Sequence, residues 1–254
     1  MIGFKRIFAQ LVFLLIIFTL ASCSEKLKKQ ETPVPVGGVC ISFDDYNVDN
    51  WHKYLPLFNE FNAKVTFYIS NFNRLTPAQI SKLHDIENHG HEIAFHTTNH
   101  PNISKLSSKI NTDTLVETEI IRGLNLMRAK GFNPKNFAFP YGAHTNTLDN
   151  LFLRYFNSVR CLNGSNNILK SYGNPTGNKV IYSVGMDLGS HRALEFFEEH
   201  LNNAANYNKV FFMVGHNIQI NNSSAQVPLG KLRYILQLAK NLNLKFYTVS
   251  QVTQ

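Results

Sequence analysis

With 254 residues, 44% of them hydrophobic and 12% aromatic, the chain has enough apolar side chain for one barrel-sized core, and nothing in it requires a second domain. The formal charge of +8 includes Lys5 and Arg6 of the N-terminal leader, and setting these aside leaves 23 basic against 17 acidic residues, a modest excess that suits an anionic cell envelope or an acidic polymer. No arginine-rich run and no interleaving of basic and aromatic residues is present, which argues against a nucleic-acid partner.

The first 22 residues read as a targeting signal. Lys5 and Arg6 form a basic start, Ile7 to Leu20 is almost wholly apolar, and Leu20-Ala21-Ser22 gives a small-residue exit before Cys23. The apolar run is short for a spanning helix. Leu-Ala-Ser-Cys resembles the bacterial lipoprotein signal, which implies cleavage after Ser22, lipid attachment at Cys23, and a membrane anchor on the periplasmic or outer face of a bacterial envelope. Residues 23–37 are polar and then proline-bearing, without helical period, and read as a tether. The remaining cysteines, Cys40 and Cys161, lie in separate apolar runs and read as two buried thiols.

From residue 38 onward, short β-branched or aromatic runs alternate with helix-length amphipathic segments. Strands are predicted at 39–43, 64–69, 92–95, 136–139, 157–161, 180–184, 209–214 and 245–249. Helices are predicted at 51–61, 77–88, 112–130, 146–154, 191–206 and 229–242. Thr76-Pro77 supplies an N-cap with proline at the first helical position, and Gly90 and Gly131 stand where helices should stop. Such alternation argues for an α/β fold with a parallel sheet, and this many units in one domain, 38–254, favour a barrel over an open sheet.

Four stretches at the ends of these strands carry candidate chemistry. Val39-Cys40-Ile41-Ser42-Phe43 runs into Asp44-Asp45, and two neighbouring carboxylates repel each other unless a cation or a division of labour separates them. His96-Thr97-Thr98-Asn99-His100-Pro101 places two imidazoles four apart, on a loop because Pro101 disfavours helix at His100. Phe137-Ala138-Phe139 ends in Pro140-Tyr141-Gly142, a turn able to aim a backbone N–H into a pocket. The apolar run from Val210 ends at Val214-Gly215-His216. Each stretch alone is an ordinary strand end, turn or surface loop. All of them lie on the rim where barrel sites are built, and together they indicate a metal-dependent hydrolase.

In this order the four stretches resemble the polysaccharide deacetylases of carbohydrate esterase family 4, the NodB-homology domain. Asp44-Asp45 stands where that family has Thr-Phe-Asp-Asp, and His96 to His100 where it has His-Ser/Thr-x-x-His. Pro140-Tyr141 fits its Arg-x-Pro-Tyr motif and Val214-Gly215-His216 its Leu-x-His motif. The resemblance spans residues 38–250 and implies a distorted (β/α) barrel of seven or eight strands that hydrolyses N- or O-acetyl groups on an acetylated polysaccharide or oligosaccharide. It further implies that Asp45, His96 and His100 hold a divalent metal, with zinc the expected ion. Asp44 would be the general base, His216 the general acid, the Tyr141 N–H an oxyanion donor, and Val214 part of the acetyl pocket.

Two departures stand out. Ala138 occupies the position of the family's arginine, so the base should lack its cationic partner and be held less firmly in its ionised form. The family's acid-rich Asp-x-x-Asp-Trp motif, which tunes the general acid, is not legible, and Asp187 is the nearby candidate for that role; Trp51 belongs to the core or the rim. A catalytically silent carbohydrate-binding lipoprotein on the same fold is the alternative, although such a protein would have little reason to keep both Asp44 and His216. A glycoside hydrolase is disfavoured because adjacent carboxylates cannot straddle a sugar. His91 reads as structural; His52, His84, His89, His144, His191 and His200 lack metal-like spacing, with His144 near enough to Tyr141 to reach a substrate.

Overall fold

The structure, a computed structural model, describes residues 36–164, 167–219 and 223–254. The leader, Cys23 and nearly all of the tether lie outside the described residues. No described helix is long and apolar enough to cross a membrane.

Seven parallel strands close into a barrel: β1 (Gly38–Asp45), β2 (Thr66–Ile69), β3 (Glu92–Phe95), β4 (Asn136–Ala138), β5 (Ser158–Leu162), β7 (Val180–Gly185) and β8 (Val210–Gly215). Closure comes from β1 pairing with β8 along Gly38 to Phe43. The distortion has two sources. On its other side β1 pairs first with β11 (Lys245–Tyr247) and only from Ser42 onward with β2. The short β6 (Tyr172–Gly173) adds antiparallel to the start of β8, and β9 (Asn217–Gln219) with β10 (Gln226–Pro228) forms a separate parallel pair.

Strand alternation sorts the core into two layers. Val39, Ile41, Phe43, Phe67, Phe95 and Phe137 point outward into the apolar layer between sheet and helices. Cys40, Tyr68, Ala94, Ala138, Ile181 and Phe212 fill the barrel interior. Cys40 and Cys161 are therefore buried thiols on opposite sides of the sheet, unpaired as the sequence suggested.

The helices wrap this sheet much as the amphipathic periods predict, with local corrections. The segment predicted as one helix over 51–61 is two, α1 (Val48–Lys53) and α2 (Leu55–Glu60), broken at Tyr54 with Pro56 in the first turn of the second. The predicted helix over 77–88 is α3 (Pro77–Asn88), opened by a capping box of Thr76 and Gln79. A short α4 (Ile103–Ser107), not foreseen, follows the histidine loop. The 112–130 prediction resolves into α5 (Thr112–Val116), a π-helical turn (Glu117–Ile121) and α6 (Arg122–Arg128) in one continuous run. Three helices complete the layer: α7 (Asn146–Phe152), α8 (Leu194–Asn206) and α9 (Leu229–Asn241).

The predicted last strand ends early, at Tyr247, because Thr248 and Gln251 form a capping box that starts α10 (Val249–Val252). This helix plugs the N-terminal end of the barrel. The Glu92 carboxylate accepts from Thr66 Oγ1 (3.0 Å), Asn136 Nδ2 (2.6 Å), and the N–H and Oγ of Ser250 (both 2.8 Å), so hydrogen bonds rather than a cation hold it there. The chain enters the barrel at the same end, where Tyr247 Oη donates to the Val36 carbonyl (2.8 Å) and Lys245 N–H to that of Gly37 (3.2 Å).

Candidate active site

The C-terminal ends of the strands bring Asp44, Asp45, His96, His100, Tyr141, Val214 and His216 to one rim, as their placement after predicted strands required. A regular strand would send Asp44 and Asp45 to opposite faces. Asp45 instead has φ 87°, which turns its carboxylate back over the barrel mouth while Asp44 points inward, 3% exposed. Thr97 (φ 69°), His100 (φ 58°) and Tyr141 (φ 60°) share this left-handed backbone, so strained conformations gather around the rim.

Asp45 Oδ1 lies 3.1 Å from His100 Nε2 and 3.9 Å from His96 Nε2, and one donor atom from each of the three residues falls within 4.8 Å of the others. Burial holds the His96 imidazole down to about 4, so it is neutral at ordinary pH. Its Nδ1–H donates to the Ala138 carbonyl (2.7 Å), which leaves the lone pair on Nε2 facing Asp45. Burial works to raise the Asp45 carboxyl, but the hydrogen bond from His100 and the surrounding histidines outweigh it and hold the group below its usual range. One carboxylate oxygen and two imidazole nitrogens fit a borderline divalent cation such as zinc, with the solvent side open for further ligands.

The loop carrying both histidines is clamped by a residue that sequence reasoning missed. Glu119, 4% exposed, accepts from Asn99 N–H (3.0 Å) and Asn99 Nδ2 (2.8 Å), and its carbonyl accepts from Thr98 N–H (3.2 Å). Glu119 sits in the π-helical turn, whose extra residue per turn rotates it toward the loop. Gly123, one turn on, lets the helix approach: a Cβ there would lie 2.6 Å from Thr98 Oγ1 and 2.7 Å from the Phe95 ring.

The expectation that the base lacks a cationic partner is overturned. Arg160 of β5, 1% exposed, donates from Nη2 to both carboxylate oxygens of Asp44 and lies over the Tyr68 ring, 5.2 Å from its centroid. Arg160 stands directly opposite Ala138 in the β4–β5 register, so the guanidinium reaches Asp44 from the neighbouring strand and the small Ala138 leaves it room. No sequence spacing revealed this, because the two positions meet only through strand pairing.

Asp187 lies against His216. Its Oδ2 accepts from His216 Nδ1 (2.7 Å) and its Oδ1 from the His216 N–H (3.1 Å), which fixes the ring and leaves Nε2 outside this pairing. Burial works to lower the His216 imidazolium, but the bond to Asp187 and the nearby Asp44 and Asp45 charges outweigh it and raise it to about 9. Trp51 is a core residue whose indole N–H donates to the His216 carbonyl (2.8 Å). Tyr141 is 64% exposed, its ring set edge-on to His100 at 4.9 Å. The turn's own hydrogen bonds begin at Gly142 and Ala143 N–H, which keeps the Tyr141 N–H out of them. Val214 is buried in β8 beneath the rim.

The remaining histidines are structural where their partners are seen. His91 Nδ1 accepts from Val65 N–H (3.2 Å), and burial pushes the ring down to about 3. His52 bonds Asp85 and His200 meets the Tyr172 hydroxyl. His144 Nδ1 faces both oxygens of Asp149 (3.0 and 3.1 Å), so it secures the loop after Tyr141 instead of reaching outward.

Two expectations follow. Arg160→Ala leaves the Asp44 charge buried and unpaired and should cost about 3–5 kcal/mol in denaturant unfolding; Ala138→Arg in that background should recover part of the loss, whereas Ala138→Arg with Arg160 present should overpack the interior and destabilise. Glu119→Ala should weaken divalent-metal binding by about 10–100-fold in competition titrations while the ligands stay in place.

Comparison with known proteins fits this geometry. The polysaccharide deacetylase family model matches residues 31–155, a span that includes Asp44, Asp45, His96, His100 and Tyr141 but ends before Arg160, Asp187 and His216. A peptidoglycan-N-acetylglucosamine deacetylase of Bacillus cereus is 33% identical over 105 residues, 41% of this chain and 36% of that protein. A probable peptidoglycan-N-acetylglucosamine deacetylase of Arthroderma benhamiae is 30% identical over 111 residues, 43% of this chain and 24% of its own length. The chain thus spans about a third or less of these curated relatives. In fold it is similar to a putative polysaccharide deacetylase from Mycobacterium smegmatis (TM-score 0.58, 14% identity, 87% of this chain and 91% of that one). It is also similar to peptidoglycan deacetylase PdaC from Bacillus subtilis (TM-score 0.55, 14% identity, 85% and 89%). Over residues 31–155 the chain is therefore similar to polysaccharide deacetylases, and beyond that span its likeness to the solved structures is one of fold.

Proposed function

We propose that the protein is a metal-dependent hydrolase that removes acetyl groups from an envelope or extracellular polysaccharide. The observation that carries this reading is the convergence of three differently tuned groups on one rim: the Asp45, His96 and His100 donors, Asp44 paired with Arg160, and His216 paired with Asp187. A binding protein has no need for a base and an acid held beside a metal-ligand set.

Asp45, His96 and His100 would hold the ion, which when bound supplies Lewis acidity to the acetyl carbonyl and the attacking water. Asp44, oriented by Arg160, takes the proton from that water. The Tyr141 N–H donates to the oxygen of the tetrahedral intermediate. His216 gives its Nε2 proton to the departing amine or alkoxide, and Asp187 keeps that proton available at neutral pH. Val214 walls the space for the acetyl methyl. The names of the curated relatives make peptidoglycan N-acetylglucosamine the first substrate to test, alongside chitin-like oligomers, poly-N-acetylglucosamine and acetylated xylan. Lipid attachment at Cys23 would place this activity at a bacterial envelope.

Acetate release from that panel by the metal-loaded protein is the direct test. Asp44→Asn and His216→Ala should retain metal in elemental analysis and lower turnover by about 10²–10⁴-fold. His96→Ala, His100→Ala and Asp45→Asn should lose metal and activity together. Asp187→Asn removes a carboxylate that raises the His216 imidazolium, so the basic limb of the pH–rate profile should move to lower pH. Metal loss in Asp44→Asn with retention in Asp45→Asn would reverse the roles assigned to the two carboxylates.

A second expectation concerns the anchor. Cys23→Ser should abolish partitioning into the detergent phase, and a variant that partitions like the parent would exclude lipidation.

A further inference from the structure

The barrel strands run parallel, so all of them begin at one end, the end opposite the site. Lysine stands at the start of several: Lys135 precedes β4, Lys179 precedes β7, Lys209 precedes β8 and Lys245 opens the adjoining β11. The helices return toward the same end, where Lys130 follows α6 and Arg154 follows α7. All six side chains are exposed, and among the described residues none belongs to an ion pair. The acids at this end are Glu92, whose carboxylate is taken up by hydrogen bonds inside the barrel, Asp85 and Glu87 in the last turn of α3, and Glu60 at the close of α2, which is paired with Arg233.

This basic end is also where the chain enters the barrel, at Val36 and Gly37. The sequence before it carries the apolar run Ile7 to Leu20 and, at Cys23, the start of a tether that spans about 50 Å at most when fully extended. A bilayer holding a lipid on Cys23, the attachment proposed above on which this inference rests, would come within reach of the lysines, whose attraction to anionic headgroups acts over about 10 Å and adds about fivefold in partitioning per residue. We infer that the lysine-bearing end docks on anionic lipid headgroups, so that the protein stands on the membrane with its catalytic rim facing away.

The test is lysine-acetylation footprinting, read by mass spectrometry, of the full-length chain reconstituted in vesicles of phosphatidylcholine alone or with about one third phosphatidylglycerol. Docking predicts that Lys135, Lys179 and Lys209 label about tenfold more slowly on the anionic vesicles, and that the protection disappears near ~0.5 M salt. Lys105 and Lys109, exposed beside the catalytic rim, should label equally on both. Replacing Lys135, Lys179 and Lys209 together by Glu should remove the protection of Lys130 and Lys245. Equal labelling on the two vesicle types, or protection of Lys105 and Lys109 instead, would overturn the inference. Equal protection by a soluble polyphosphate added to phosphatidylcholine vesicles would also overturn it, pointing to a polyanion rather than a bilayer.

Discussion

Two neighbouring carboxylates cannot both face one cavity from a regular strand, nor stay ionised there without compensation, and the rim is built around both limits. The left-handed turn at Asp45 satisfies the first. The second is met by giving each acid its own partner: a guanidinium from inside the barrel for Asp44, the His100 imidazole from above for Asp45. An isolated buried carboxylate would take up a proton rather than stay charged. Arg160 supplies that compensation to Asp44 in a nearly water-free position, and the small Ala138 opposite it in the β4–β5 register leaves the guanidinium room over the Tyr68 ring.

One side-chain type performs three tasks in this protein through environment alone. His91, packed between Phe58 and Phe67, is a neutral acceptor inside the core. His96 is also neutral but has its lone pair aimed outward by the bond to Ala138. His216, with Asp187 on both its ring and its backbone, retains its proton. Desolvation opposes charge in all three, and only where a carboxylate accepts from the ring is that penalty overcome.

The repeating strand and helix periods were legible because each barrel unit must bury an apolar face, and the resulting prediction of a closed parallel barrel holds. Helix ends were less legible where local chemistry competes, as at Tyr54 before Pro56 and at the Thr248 capping box. Within the rim, Asp44, Asp45, His96, His100, Tyr141 and His216 were readable because each follows an apolar run. Their supports were not. Arg160 reads as an ordinary polar position in a strand until β5 is laid beside β4, and Glu119 reads as an exposed helical acid until the π-helical turn rotates it inward. Such supports are fixed by pairing across elements, which linear spacing does not encode.

The strand that carries the two carboxylates is also the seam of the barrel. β1 pairs with β8 and β11, and the hydroxyl of Ser42 donates to the carbonyl of Met213, 171 residues away (3.2 Å). Loop closure over such a separation contributes little until nearly the whole chain is available, so contacts of this kind slow folding and delay it to a late step. A chain emerging N-terminus first would present β1 long before either partner exists. The barrel, and with it the arrangement of Asp44 and Asp45, can close only after β8 has been made, and the lower half of β1 gains its second neighbour only with β11.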